Sequence, residues 1–208
     1  MSHLFANDFN SLILRGEQVA YDYSLKAPVL TADSAGRIAE RALSEFHAAR
    51  KFPPDRIVVH KTSRFTSDEI NGFHGVFKSA RLAFDLVSIA KSPVKITRWG
   101  LYPVPRGTGL VSSESQAHLY TKGFVRELQT YPGSHVPSPF EIRKARGDSS
   151  IKTICSDILA LTKLNWNTAD FCCGVPITVS FARNVGDVFK EFDETSPYEP
   201  SRYFRFYM

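Results

Sequence analysis

The stretch "PPDRIVVHKTSRFTSDEINGF", residues 53–73, holds three signals in a row. Pro53 and Pro54 stop whatever helix precedes them, because proline has no amide hydrogen to donate and biases its predecessor away from helix. Ile57, Val58 and Val59 then read as a buried strand, bounded on its far side by the polar burst His60-Lys61-Thr62-Ser63-Arg64. Thr66-Ser67-Asp68-Glu69 fits a capping box, with Ile70, Phe73, Phe77 and Ala80 recurring on one face of the helix that follows. A strand that ends in polar groups and hands over to a helix is the repeating unit of α/β folds, whose ligands sit at the carboxyl edge of the sheet.

Working outward, "TADSAGRIAERALSEFHAAR" (31–50) repeats Ala35, Ile38, Ala42 and Phe46 at helical spacing behind a Thr/Asp/Ser start. "SLILRGEQVAYDYS" (11–24) reads as a hairpin with Gly16 near its turn, and no segment before Ser11 has the apolar alternation of a strand. "FDLVSIA" (84–90) is the next strand. The order β-β-α-β-α-β predicts a mixed sheet with helices packed on it. About 60 residues follow that are rich in proline and glycine, with the short β segments "VKITRW", "HLYTKG" and "GFVREL"; they read as loops decorating one edge of the sheet. Ile151, Ile154, Ile158 and Leu161 mark a further helix. Pro176 opens a last one, through about Glu191, with Val179, Ala182, Val185 and Val188/Phe189 inward.

Composition excludes several classes. The 208 residues suffice for one substantial core, and a 43% hydrophobic share with 16 Phe and 8 Tyr is far from the composition of disorder. No apolar run approaches a membrane span and the first ten residues lack the pattern of a secretory signal, so the expected location is the cytoplasm with no membrane partner. Cys155, Cys172 and Cys173 include an adjacent pair and no CxxC, which predicts reduced structural thiols. The six histidines show no HxH or HxxxH cluster, and Walker A, GxSxG, HExxH and GxGxxG are absent.

Charge is more informative than any catalytic motif. The net charge is +5, yet residues 91–146 alone carry nine basic side chains (Lys91, Lys95, Arg98, Arg106, Lys122, Arg126, Arg143, Lys144, Arg146) against Glu114, Glu127 and Glu141. Trp99, Tyr102, Tyr120 and Tyr131 are interleaved with them and offer flat surfaces to bases. A basic region with aromatic groups points to an anionic polymer, with a merely solvated basic face as the plain alternative.

Seven motifs in order, "PPDRIVVHKTSRFTSDEINGF", "YPVPRGTG", "HLYTKGF", "VPSPFEIRKAR", "DILALTKLNWNTADF", "VPITVSFARNVGDVFKEF" and "RYFRFYM", resemble the PIWI domain of prokaryotic Argonautes from about Ser11 to Met208. The resemblance implies an α/β, RNase H-like mixed sheet flanked by helices and incomplete at its N-terminal part. It also implies a single half-PIWI domain over residues 1–208, with no MID, PAZ or N domain in this chain. In slicing members of the family the strand matching "IVVHKTSRF" ends in a metal-binding Asp. Thr62 stands at that position, and Arg183 stands where the last catalytic Asp or His is found. The first catalytic Asp, with its strand, has no counterpart. The implied function is a guide-strand or guide–target duplex module that does not cleave, in prokaryotic defence, with no cofactor required for catalysis. Lys61, Arg64, Arg106, Lys122, Lys163, Asn165, Asn167 and Arg183 are the expected nucleic-acid contacts. For Arg106 and Lys122, neighbouring glycines would let the backbone approach a phosphate. Trp166 reads as core. The C-terminal carboxylate of Met208 is the expected ligand of a Mg²⁺ at the guide 5′-phosphate, provided a MID domain is supplied in trans. The absent strand predicts a homodimer or a complex with a protein that supplies it. Two other readings stay open: a nuclease whose metal site a partner subunit completes, and a protein–protein assembly element.

Overall fold

Four segments of the chain end in local signals strong enough to fix an element boundary, and the computed structural model places each of them. The structure describes residues 2–4, 12–14, 19–24, 26–97, 99–100, 102–131, 137–165 and 170–191. The elements are β1 (Ser2–Leu4), β2 (Leu12–Leu14), β3 (Ala20–Asp22), β4 (Ala27–Val29), α1 (Ala32–Arg50), β5 (Arg56–Lys61), α2 (Ser67–Ser79), β6 (Ala83–Lys91), β7 (Gly109–Ser113), β8 (Gln116–Leu119), β9 (Phe140–Gly147), α3 (Ile151–Leu161) and α4 (Ile177–Lys190). They form two compact units.

The first unit contains β1 to β4, α1, α2 and nearly all of α4. Thr31 caps α1 by accepting from the Ser34 amide at 3.2 Å, and α1 ends at Lys51 in the left-handed conformation (φ 65°), with its amide bonded to the His47 carbonyl at 2.8 Å. The helix therefore stops two residues before Pro53, by a left-handed cap. The capping box of α2 is complete: Glu69 N donates to Thr66 Oγ1 at 3.2 Å and Thr66 N to Glu69 Oε2 at 2.9 Å. The buried Glu69 carboxylate also accepts the Leu30 amide through Oε1 at 3.0 Å, which clasps the start of α2 to the end of β4. α1 packs on α2 across Gly72, where a Cβ would lie 2.2 Å from the Ala32 carbonyl oxygen. A row of rings fills the space beneath, Phe73 stacked on Phe77 at 6.0 Å and Phe77 against Phe84 at 5.5 Å. On α4 the buried face is Ile177, Phe181 and Val185 with Val179, while Ala182 and Val188 point outward, so the inward set shifts from the predicted one. Successive i, i+4 positions hold the larger side chains, and the larger apolar surface wins the core.

Among the described residues the two arms of the hairpin expected over 11–24 pair with other segments. Leu12–Leu14 pairs with Ser2–Leu4, and Ala20–Asp22 pairs with Ala27–Val29, both antiparallel. A strand thus exists before Ser11, where the alternation pattern shows none, because three residues suffice for a ladder whose partner carries Ile13 and Leu14 into the core.

The second unit holds the carboxyl part of β5, most of β6, β7 to β9 and α3. The five strands form one mixed sheet in the order β5-β6-β9-β8-β7, with β6–β9, β9–β8 and β8–β7 antiparallel. Residues 92–150 are therefore not decoration: they supply three of the five strands, and β9 lies at the centre. "HLYTKG" contributes only its first two residues to a strand, "GFVREL" makes isolated bridges, and residues 94–97 of "VKITRW" are outside any strand. Proline and glycine mark the connections here, while the strands between them are too polar to announce themselves. Ser150 caps α3, which lays Ile151, Ile154 and Ile158 on β8 and β9, above Leu119 and Ile142. Asp85, fully buried at the start of β6, accepts from Ser149 N at 3.0 Å and Ser149 Oγ at 2.7 Å and fixes the turn that enters α3.

Candidate nucleic-acid interface

The polar groups of unit two gather around the carboxyl end of α3. Arg106 Nη2 donates to the Leu159 carbonyl at 2.8 Å and to Thr162 Oγ1 at 2.6 Å, so its charge sits on the last turn of the helix, where the helix dipole favours a cation. Its Nε is buried with no protein partner among the described residues. Through Nη2, Arg106 thus seals the end of α3. Its glycine neighbours are also committed internally. A Cβ on Gly123 would lie 2.6 Å from both the Arg106 nitrogen and the Val104 oxygen, and Gly107 takes a positive φ of 86°. Gly123 admits neighbouring protein backbone, and Gly107 a left-handed turn.

Lys122 and Lys163 are held by one short segment, Phe171–Gly174. The Lys163 ammonium lies over the Phe171 ring, 4.6 Å from its centroid. The stem of Lys122 lies along Gly174, where a Cβ would come within 3.4 Å of its Cε. The segment itself is fastened at both sides: Cys173 N donates to the Thr162 carbonyl at 2.8 Å, Thr121 Oγ1 donates to the Gly174 carbonyl, and Cys172 Sγ faces the Thr121 carbonyl at 3.8 Å. Asn165 Nδ2 donates to Cys173 Sγ at 3.2 Å, which places Asn165 in the support of this segment. All three cysteines are free.

Beside these cations lies a cleft of about 530 Å³, lined by residues 104–109 and 124–127 together with Lys163 and Phe171. Arg106, Arg126 and Lys163 face it with one carboxylate, Glu127. Arg126 was missed as a site residue; its place two residues after "YTKGF" in a basic stretch was the available signal. Phe171 was missed as well, and nothing in its surrounding sequence distinguishes it from a core phenylalanine.

The other expected residues fall elsewhere. Lys61 Nζ donates to the Arg64 carbonyl at 3.3 Å, and Thr62 and the Arg64 side chain are exposed beyond β5. Arg183 is exposed on α4, in the first unit. Of the aromatic groups, Trp99 is 95% exposed, whereas Tyr120 is buried and its hydroxyl donates to the Ile96 carbonyl at 3.0 Å, which removes it from any role in stacking. On β9, Arg143 pairs with Glu141 and Lys144 Nζ donates to the Ser149 carbonyl at 2.8 Å. Part of the basic excess is thus spent inside the protein. Asn167, Trp166 and Met208 lie outside the described residues. Among the described residues no three His, Cys, Asp or Glu side chains converge as a metal site, and no helix is long and apolar enough to cross a membrane.

No protein-family model matches the chain. It is 27% identical over 175 residues to the protein argonaute of Aquifex aeolicus, which covers 79% of this chain and 22% of the relative. In fold it is similar to Clostridium butyricum Argonaute bound to a guide DNA and a 19-mer target DNA, with a TM-score of 0.65 at 19% identity over 79% of this chain and 21% of that one. It is likewise similar to the Aquifex Argonaute with externally bound siRNA, with a TM-score of 0.64 at 20% identity over 88% and 24%. Marinitoga piezophila Argonaute in complex with 5′ OH guide RNA follows, with a TM-score of 0.57 at 15% identity over 85% and 24%. The chain spans about a fifth of the length of the curated relative it matches.

Proposed function

In sequence and fold the chain is Argonaute-like, and we propose that it holds a guide strand or guide–target duplex through phosphate contacts without cleaving it, as part of prokaryotic defence against invading DNA. The observation that carries this reading is the pair of cations on Phe171–Gly174: Lys122 and Lys163 lie on one hydrogen-bonded segment, and Lys163 lines a basic cleft, which suits sequence-independent binding of a backbone. Base pairing would then read the sequence, as in other guided systems. Thr62 and Arg183 support the non-cleaving part. A hydroxyl anchors a divalent ion poorly, and a guanidinium repels one and attracts phosphate. A Mg²⁺ held by the Met208 carboxylate belongs to this proposal only where a MID domain is supplied by another chain.

Association completes the proposal. Among the described residues β5 and β7 are the two outer strands of the five-stranded sheet, β5 beside β6 and β7 beside β8. A sheet edge can take a strand from a partner protein or from a second copy of this chain.

Oligonucleotide binding tests the reading. Neutralising ~4–6 phosphates gives a slope of log K against log salt of roughly −3 to −5, and Lys122→Ala or Lys163→Ala flattens it by ~1. Guide-matched DNA and RNA should remain intact in Mg²⁺ or Mn²⁺. Salt-independent binding, or cleavage abolished by mutating a carboxylate of this chain, would falsify it.

A further inference from the structure

The cleft beside Lys163 has a shape that phosphate contacts alone leave unused. Its volume, about 530 Å³, lies in the ~300–1,000 Å³ range of small-ligand sites. Its walls combine two aromatic residues, Phe124 and Phe171, with the cations Arg126 and Lys163 and the single carboxylate Glu127. A paired duplex has no use for aromatic walls, because its bases are stacked on one another and it turns phosphate and sugar outward. An extended backbone crossing an open surface has no use for a concavity. A group that needs both is an unpaired nucleotide, whose flat base stacks on rings while its phosphate takes the cations.

We propose that this cleft takes one unpaired nucleotide of the bound nucleic acid, its base against Phe171 and Phe124 and its phosphate between Arg126 and Lys163. The inference rests on the nucleic-acid reading and adds to it a site for a base extruded from within the duplex. Lys163 already shows how the exchange works. With the cleft as described, its ammonium covers the Phe171 ring at 4.6 Å. A base arriving on that face displaces the ammonium, which then follows the incoming phosphate. One cation–π contact is given up for a ring-on-ring contact and a charge-assisted one. Arg106 also lines the cleft, and its Nη2, bonded to the Leu159 carbonyl and Thr162, holds the floor in place.

The test compares three probes by fluorescence anisotropy on the full chain: a fully paired duplex, the same duplex with one unpaired nucleotide bulged out, and that bulged duplex with an abasic residue at the bulge. The bulged duplex should bind roughly 5- to 100-fold tighter than the paired one, the range set by one base stacked on aromatic side chains. The abasic bulge controls for flexibility of the duplex and should fall back to the paired value. Phe171→Leu and, separately, Phe124→Leu should collapse the ratio of bulged to paired affinity, with thermal melting to verify that each variant folds. Equal binding of all three probes overturns this inference and leaves the broader reading standing. Failure of every probe to bind overturns both.

Discussion

At the scale of single residues, spacing in the sequence predicts which side chains lie near the site but not what they touch. Lys122 and Lys163 are legible as cations beside glycine and at a helix end. Arg106 is equally legible, yet its Nη2 is bonded to the Leu159 carbonyl and Thr162, partners 53 and 56 residues away in the chain. A partner at that distance leaves no local trace. Gly174 is the reverse case, a glycine whose neighbour is visible only in the fold: a Cβ there would meet the Lys122 stem at 3.4–3.8 Å, ordinary contact distance. Gly174→Ala should therefore leave the Lys122 ammonium in place and oligonucleotide binding close to that of wild type, whereas Lys122→Ala weakens it. A loss from Gly174→Ala as large as that from Lys122→Ala would show that the stem cannot accommodate the methyl group. Cys155 yields a pH prediction. Burial pushes its thiol from 9.0 up to about 11. Because the folded state holds the proton more tightly than the unfolded chain, the associated stability is complete below pH 9 and is lost as pH rises toward 11. Denaturant titrations across that window should show wild type losing more stability than Cys155→Ala; parallel profiles would contradict the assignment.

Elements with a local punctuation mark were readable and elements without one were not. Thr31 before α1, the Thr66–Glu69 box before α2 and Pro176 before α4 each satisfy or remove a helix-end amide that would otherwise lack a partner, and the chemistry of the cap is visible in the residue type. β9 has no such mark. "FEIRKARG" carries four charged residues and reads as surface, yet it runs between β6 and β8. Glu141 pairs with Arg143, and Lys144 donates to the Ser149 carbonyl, a partner that only the turn into α3 provides. β7 is exposed along its whole length and has no alternation to detect. Contact between elements supplies a sharper test. Gly72 brings α1 and α2 so close that a methyl group would meet backbone, which a side-chain rotation cannot relieve. Gly72→Ala should therefore destabilise the protein by about 1–3 kcal/mol despite its higher helix propensity, whereas Gly75→Ala, which meets nothing, should be neutral or stabilising. Chemical denaturation of the two variants decides between packing and propensity; equal effects would remove the argument.

For the whole molecule, the α/β class followed from strand–helix alternation, and the ordered motifs carried the finer resemblance. The number of strands in the main sheet did not follow, because its second half is built from segments whose pairing is entirely tertiary. Association is the prediction that belongs to this scale. An edge strand such as β5 is expected to be covered, so sedimentation equilibrium at micromolar concentration should give a mass above the 23.4 kDa of one chain, and a monodisperse monomer would remove the need for a partner strand. The division into units has a further consequence for synthesis. Unit one is assembled from Met1–Ile57, Phe65–Phe84 and Thr178–Met208, while unit two is assembled from Val58–Arg64 and Asp85–Ile177. On the ribosome, every residue of unit two has therefore been made before the last stretch of unit one, with α4, begins to appear. Within these residues, α4 can join the rest of unit one only after all of unit two has been synthesised.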